Sequence, residues 1–509
     1  MPKSLEGSRG GDERPGMKQL FEVGSDRLSR GPVSFAWSPN GQFIATASCQ
    51  LRLLVHDRKG NLHDEIQIPG RAAPGQCAAV QLAWDRRSEK LALLTAASKP
   101  GIGDAVVVYK VRQREAMRLE NVQMAKELTH IAWDPQGHVL SVGTAKGNLL
   151  LYDTRIGKTM SIMGKHTKGI TCGAWSADGR LALGGDDKQI TVSLGNGDTE
   201  FQLAVKDKPK ELQFAPEASS GGSLAATKRL NQISATLSGG QSSIYLYRLG
   251  EFGEDPPDIR NPAELRFDPY YGKIKSHHWA GAGYLVVCFD SGQCVLCRME
   301  GGEMEQELCN LQPFTGAAAM AMKTVFCADI GRLAVFSGPT VKMIDVSNGD
   351  LTENTSDALE FSVKCEVTCL GWSMEGQVLT VATSDGELYT FLASLPNLCR
   401  AFGDRCAYLT SLLEVTVADV SLNKLRAVAI DQEPVFLALG HQHVAAGMNN
   451  QAWFYRVGPP EEGLEYPPER VNQREYMGSV DEVSMNDTLA AVRSEGRVNV
   501  HVIEHNNDP

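Results

Sequence analysis

The sequence predicts an all-β protein built from a repeated four-stranded unit, and three observations carry that prediction. Six of the seven Trp sit in one local pattern: an apolar strand, the Trp, a polar turn, then a second apolar strand. The pattern recurs, with Trp37, Trp84, Trp133 and Trp175 spaced 47, 49 and 42 residues apart. The gaps to Trp279 and Trp372, 104 and 93 residues, are each about two periods. A β-rich run, often ending in Asp, follows each copy.

The first element is the Trp turn. Ala36-Trp37-Ser38-Pro39-Asn40-Gly41 precedes apolar Phe43-Ile44-Ala45. Pro fixes φ, and Asn and Gly tolerate positive φ, so the four residues after Trp37 suit a tight turn. Copies follow at Trp84, Trp133, Trp175, Trp279 and Trp372. Degenerate copies at 212–216 and 319–321 fill the two long gaps. These six Trp read as structural blade core, filling space between neighbouring units.

The second element is the β-run. Leu53-Leu54-Val55-His56-Asp57 and Leu149-Leu150-Leu151-Tyr152-Asp153 are typical, and ten such runs can be counted. A period of about 40–45 residues with four short strands is the mark of a WD40 β-propeller blade. One blade cannot bury both faces, so blades pack radially and leave only short edges.

Counting places seven blades between Met17 and Asp350, with strand 18–23 closing the ring as the missing outer strand of the seventh. About three more blades occupy 351–509. Three cannot close a ring, so the second propeller is expected to be incomplete. Residues 1–16 read as a disordered extension, the Gly/Ser-rich stretch 218–223 as disordered, and 458–470 as a loop.

Composition narrows the function classes. Fifty Lys+Arg against 61 Asp+Glu give a formal charge of −11, which argues against a general nucleic-acid or anionic-membrane binder. No apolar run reaches the roughly 18 residues of a spanning helix. No secretory signal is visible at the start, and the 12 Cys lack a disulfide-framework spacing, which fits a reducing cytosol.

Candidate chemistry is sparse. Leu237-Ser238-Gly239-Gly240-Gln241 matches an ATPase signature loop letter for letter. Gly157-Lys158-Thr159 lacks the upstream Gly of a phosphate cradle, however, so the LSGGQ reads as a blade turn. Cys294 and Cys297 lie three apart in an apolar strand and should face opposite sides, which does not suit zinc. His441 and His443 lack a third ligand of matching spacing, and His277-His278 reads as blade packing. No nucleophile signature is present. The expectation is no catalytic residue, no metal and no cofactor, with function carried by loops on a rigid ring.

Longer segments carry a resemblance. Gly147-Asn148-Leu149-Leu150-Leu151-Tyr152 is followed by 164–173, GKHTKGITCG, and by 181–193, LALGGDDKQITVS. Segments 408–417, YLTSLLEVTV, and 446–455, AGMNNQAWFY, stand further on. Together these resemble the WD repeat-containing protein 19 family, the 144-kilodalton subunit of intraflagellar transport complex A. The resemblance covers about Met17 to Glu504.

The resemblance implies two N-terminal propellers followed by a helical-repeat solenoid. It implies a non-catalytic scaffold or adaptor that supports retrograde ciliary transport and ciliary entry of membrane-protein cargo, with protein–protein binding through propeller loops. The partners implied are other complex A subunits and membrane-protein cargo or its adaptors. The setting implied is the cytoplasm, the cilium or flagellum, the basal body and the cytoskeleton. Family chains resemble this one from Met17, so 1–16 read as an extension and the chain as stopping within the second propeller. A vesicle-coat subunit of coatomer type and a propeller-hosted enzyme are the competing readings.

Within these segments Lys165, Lys168, Asn449 and Asn450 are candidate partner contacts. His166 and Asp187 are expected to form a structural hydrogen bond. In WD repeats such a pair extends through a strand Ser/Thr to a Trp, and the Trp position here is Ser193, so the network should be incomplete.

Overall fold

The computed structural model describes residues 17–28, 31–48, 52–68, 77–97, 105–119, 127–216, 232–239, 242–249, 261–281, 283–300, 303–347, 349–361, 365–396, 398–458 and 467–504. The segments 1–16 and 218–223, and most of 458–470, lie outside them. The chain divides into two compact units, Met1–Ala393 and Ser394–Pro509.

The first unit holds eight antiparallel four-stranded sheets among the described residues. Blades 1 to 7 span 33–67, 77–118, 128–162, 170–204, 209–266, 274–311 and 323–360. Blade 8 takes three strands from 367–392 and its fourth from Lys18–Val23.

Alternation along each middle strand drives the ring. Successive side chains point to opposite faces. Leu53 and Val55 of blade 1 therefore pack with Val107 and Tyr109 of blade 2, while Leu54 packs with blade 8. Val106 and Val108 of blade 2 turn the other way, onto blade 3. A strand buried on both faces must be apolar throughout, which explains the runs LLV, VVVY and LLLY. Each such Val or Leu contributes roughly 1.5–3 kcal/mol on burial.

Every junction between consecutive blades has its own apolar cluster. An eighth cluster joins blade 8 to blade 1 through Val378, Ala382 and Leu388 against Trp37, Ile44 and Leu54. The eight blades contact one another in a cycle.

Two features correct the sequence reading. The first ring has eight blades, not seven, and its unit ends at Ala393 rather than Asp350. Blade 7 carries its own outer strand, Asp350–Glu360, paired with Thr340–Ser347. With that edge taken, Lys18–Val23 pairs instead with Leu388–Leu392, from Lys18 opposite Leu392 to Val23 opposite Leu388. Strand 350–360 reads DLTENTSDALE, too polar to be recognised as a strand. In an outermost strand only one face need be apolar, so that composition folds well.

The second unit forms three sheets among its described residues, spanning 399–429, 436–475 and 480–502. The first uses strand Glu414–Asp419, a run absent from the sequence count of ten. Two apolar clusters join these sheets in order, centred on Val415, Val417 and Trp453, and on Phe454, Ala490 and Val492.

Candidate functional site: the channel wall of the first ring

The first strand of each blade packs against the first strands of its neighbours, so these strands line the central channel of the first ring. Each ends at the Trp position, except in blade 7, where the strand runs one residue further to Cys327. All six indoles donate to the preceding blade. Trp84 Nε1 donates to the Ala36 carbonyl at 3.0 Å, Trp133 to Ala83 at 2.9 Å, Trp175 to Ala132 at 3.3 Å and Trp372 to Val325 at 3.2 Å. Trp37 donates to Thr380 Oγ1 at 2.9 Å and Trp279 to Ser234 Oγ at 3.0 Å. Where a carbonyl accepts, it belongs to the residue just before the preceding blade's own Trp position. In blades 5 and 7 that position holds Phe214 and Phe326, in the same register with Ile233 and Leu333 that Trp84 has with Leu91. Each indole thus fixes the angle between two blades and satisfies its own buried donor.

The start of the same strands forms a polar girdle. In blades 2, 3, 4, 5, 6 and 8 the pairing skips one residue: Ala78, Thr129, Thr171, Lys210, Lys275 and Thr368. Such bulges re-aim a side chain. Blade 7 opens its strand with Lys323.

Girdle side chains bond forward, to the following blade. Gln81 Nε2 donates to the Thr129 carbonyl at 3.2 Å and Thr171 Oγ1 to Pro209 at 3.1 Å. Lys210 Nζ donates to the Lys275 carbonyl at 2.9 Å, Lys275 Nζ to Met320, and Lys323 Nζ to Thr368 at 3.3 Å. The ring is stitched backward by indoles and forward by girdle residues. The sequence reading missed these lysines. Their signal was their place three or four residues before Trp279, Phe214 and Phe326.

A cavity of about 590 Å³ opens on the other side of this channel, walled by Phe35, Leu82, His130, Ile131, Thr368 and Cys369 among others. Burial pushes the His130 imidazole down to about 4, so it is neutral at physiological pH. Its Nε2 is buried with no hydrogen-bond partner among the described residues, and so is Thr129 Oγ1.

The predicted His166–Asp187 pair is formed. His166 Nδ1 lies 3.0 Å from Asp187 Oδ1, and Nε2 lies 3.0 Å from Thr191 Oγ1. Burial works to raise the Asp187 pKa, yet the His166 bond and the Thr167 and Gln189 amides hold it below the usual carboxylate range. Ser193 is fully buried, and its Oγ has no partner among the described residues, so the chain of bonds stops at Thr191.

The partner-contact candidates separate. Lys165 is buried, and its ammonium donates to the Gly197 carbonyl at 2.9 Å and Thr199 Oγ1 at 2.6 Å, so it is no free contact residue. Lys168 is exposed. Asn449 is exposed and takes the positive φ of 51° that its hairpin turn needs, a conformation Asn tolerates. Asn450 is half-buried and holds Glu475 and the Tyr476 carbonyl, which makes it a structural residue.

Other motifs resolve simply. Leu237 ends strand Gln232–Leu237 and Ser243 opens the next, so LSGGQ spans a blade hairpin; Gly240 and Gln241 lie outside the described residues. Cys294 packs between blades 6 and 7, and Cys297 between blades 5 and 6, on opposite faces. His441 sits in an exposed turn 3.8 Å from Asp487, while His443 is buried against Glu504 at 2.8 Å. His277 bonds Ser234 at 2.8 Å, and His278 bonds Thr324 at 2.9 Å. No group of three metal-ligating side chains occurs among the described residues.

Cyclic four-stranded blades joined by Trp from first strand to preceding blade define a WD40 propeller protein. The C-terminal WD40 domain of Sif2 has the same fold, with a TM-score of 0.55 at 12% identity over 75% of this chain and 99% of that one. The family models described as the WDR19 first and second beta-propellers match residues 33–386 and 406–509. Human WD repeat-containing protein 19 is 32% identical over 96% of this chain and 34% of its own length. Caenorhabditis elegans WD repeat-containing protein dyf-2 is 25% identical over the same shares. The chain belongs to the WD repeat-containing protein 19 family, and it spans about a third of the length of these curated relatives.

Proposed function

We propose that this chain acts as part of a non-catalytic scaffold or adaptor subunit of intraflagellar transport complex A. It supports retrograde ciliary transport and ciliary entry of membrane-protein cargo, working in the cytoplasm, at the basal body and in the cilium. The observation that carries the reading is the ordered match of two successive propeller families, 33–386 and then 406–509. The physical support is the ring itself: indoles and girdle side chains bond blade to blade, which leaves a rigid frame whose loops are free to bind.

Affinity purification of the tagged full-length protein from ciliated cells tests this reading. Recovery with complex A subunits, and signal along the axoneme, are expected. Recovery with coatomer-type coat subunits and no complex A subunits would overturn it.

A further inference from the structure

We propose that the channel of the first ring binds an extended acidic peptide, seating one apolar side chain in the cavity beside Phe35 and its carboxylates on Lys210, Lys275 and Lys323. The inference rests on reading the first ring as a protein-binding module.

The charge pattern is the first argument. The chain is net acidic, and neighbouring lysines are neutralised: Lys188 by Asp207 at 3.1 Å, Lys206 by Glu264 at 3.3 Å and Lys208 by Asp186 at 2.8 Å. Lys210, Lys275 and Lys323 form no ion pair among the described residues. Their ammoniums touch backbone carbonyls of the next blade or, for Lys275, of the short helix Gly316–Ala321 that leads into it. A carbonyl positions an ammonium without cancelling its charge. Three consecutive blades therefore hold three aligned positive charges around one arc of the channel. Glu211 is the acid within that arc, and it is turned onto His277 at 3.3 Å and Gln213 at 2.7 Å.

The second argument is the opposite arc. There the girdle residues are neutral, and the cavity of about 590 Å³ is walled by Phe35, Leu82 and Ile131. The apolar wall suits a Leu or Phe side chain. One arc reads charge and the other reads shape, as in peptide grooves on other scaffolds.

An anionic membrane is disfavoured by position. The lysines stand on channel strands, while the loops around them carry charges already paired, Asp186 with Lys208 and Asp207 with Lys188. A flat bilayer would meet those neutral pairs first. A chain entering the channel would not.

The test uses the 509-residue chain. The probe is a fluorescent Glu-rich peptide of about twelve residues with one central Leu. Saturable binding is expected, weakened by salt, and weakened about tenfold or more by the triple change Lys210→Gln, Lys275→Gln, Lys323→Gln. Gln retains a donor for the neighbouring carbonyl, and an unchanged melting curve confirms folding. Lys59→Gln, Lys110→Gln and Lys158→Gln together should leave binding intact. Replacing the peptide's Leu by Ala should weaken it further.

No binding, equal binding by the triple variant, or preferential capture on phosphatidylserine vesicles would each overturn the proposal. The triple variant should still co-purify with complex A subunits. Loss of peptide binding with that recovery intact separates this site from the scaffold role.

Discussion

Trp37 and Thr380 are 343 residues apart in sequence and 2.9 Å apart in space, joined by the indole N–H and the threonine hydroxyl. This bond lies at the junction where blade 8 meets blade 1, and both residues are buried. Arg58 spans the same junction beside the turn that follows Trp37, with Nη1 3.2 Å from Glu375 Oε2 and Nη2 bonded to Gln377. Closure is therefore held by a buried neutral bond, a more exposed ionic one and the apolar cluster of the same junction.

Thr380→Val keeps the shape and removes the acceptor, which strands the indole donor in the core. We expect a loss of about 1–3 kcal/mol. The double change Trp37→Phe with Thr380→Val should cost less than the two single changes added together. Urea unfolding followed by circular dichroism gives the cycle. Strict additivity would show that the bond contributes nothing to closure.

The outer strand of blade 8 comes from residues 18–23, so the first propeller should be autonomous over 17–393. That fragment is expected to be monomeric and to melt in one cooperative transition. A fragment ending at 350 lacks the outer strand of blade 7 and all of the main part of blade 8. It should expose Val341, Met343 and their cluster, and aggregate. Size-exclusion chromatography and calorimetry distinguish them. A soluble, cooperative 17–350 fragment would refute the eight-blade closure.

The sequence made some of this legible and hid the rest for physical reasons. Trp37, Trp84 and Trp133 were readable because a large aromatic at a fixed period has little other use. The runs at Leu53 and Leu149 were readable because burial on both faces permits only apolar side chains. Strand 350–360 was not readable, because an outermost strand tolerates alternating polar residues, and the blade count slipped by one. Lys165 looked exposed by type, yet its alkyl stem is buried and its ammonium is capped by Gly197 and Thr199. The girdle lysines were hidden because their meaning lies in register. Each is an ordinary surface residue until the blades are superposed.

His130 makes stability depend on pH in a direction that can be worked out. Its imidazole titrates near 6.5 when unfolded and is pushed down to about 4 by burial in the native ring. Between those values the unfolded chain holds a proton that the folded chain does not. Folding free energy should therefore decline as pH falls from about 6.5 to 4, and this contribution should level off below that. His278, also lowered to about 4 by burial, acts the same way. His130→Leu should flatten part of this slope in chemical denaturation at stepped pH. An unchanged slope would mean that His130 protonates freely in the native state. Asp187 works in a lower window: its depressed pKa gives stability that is full above about 4 and is lost as pH falls through the native value. Asp187→Asn should remove that acid-limb loss and leave the His130 window unchanged.

Gly147 supports the His166 network from beneath. Its φ is +79°, and a Cβ there would lie 2.1 Å from the His166 carbonyl oxygen and 2.5 Å from that of Lys168. Its own carbonyl accepts the His166 amide at 2.9 Å. Gly147→Ala therefore meets backbone on two sides, and the 166–168 segment must move, taking the imidazole away from Asp187. Gly157 is the matched control, with φ +65° and nothing within 4 Å of where a Cβ would stand. Gly157→Ala should cost only the left-handed backbone penalty of about 1–2 kcal/mol. Gly147→Ala should cost that and more, and should also abolish the protected imidazole N–H resonance of His166 in proton NMR. Equal destabilisation by the two changes, with the His166 signal retained in both, would show that the network does not depend on the close approach at Gly147.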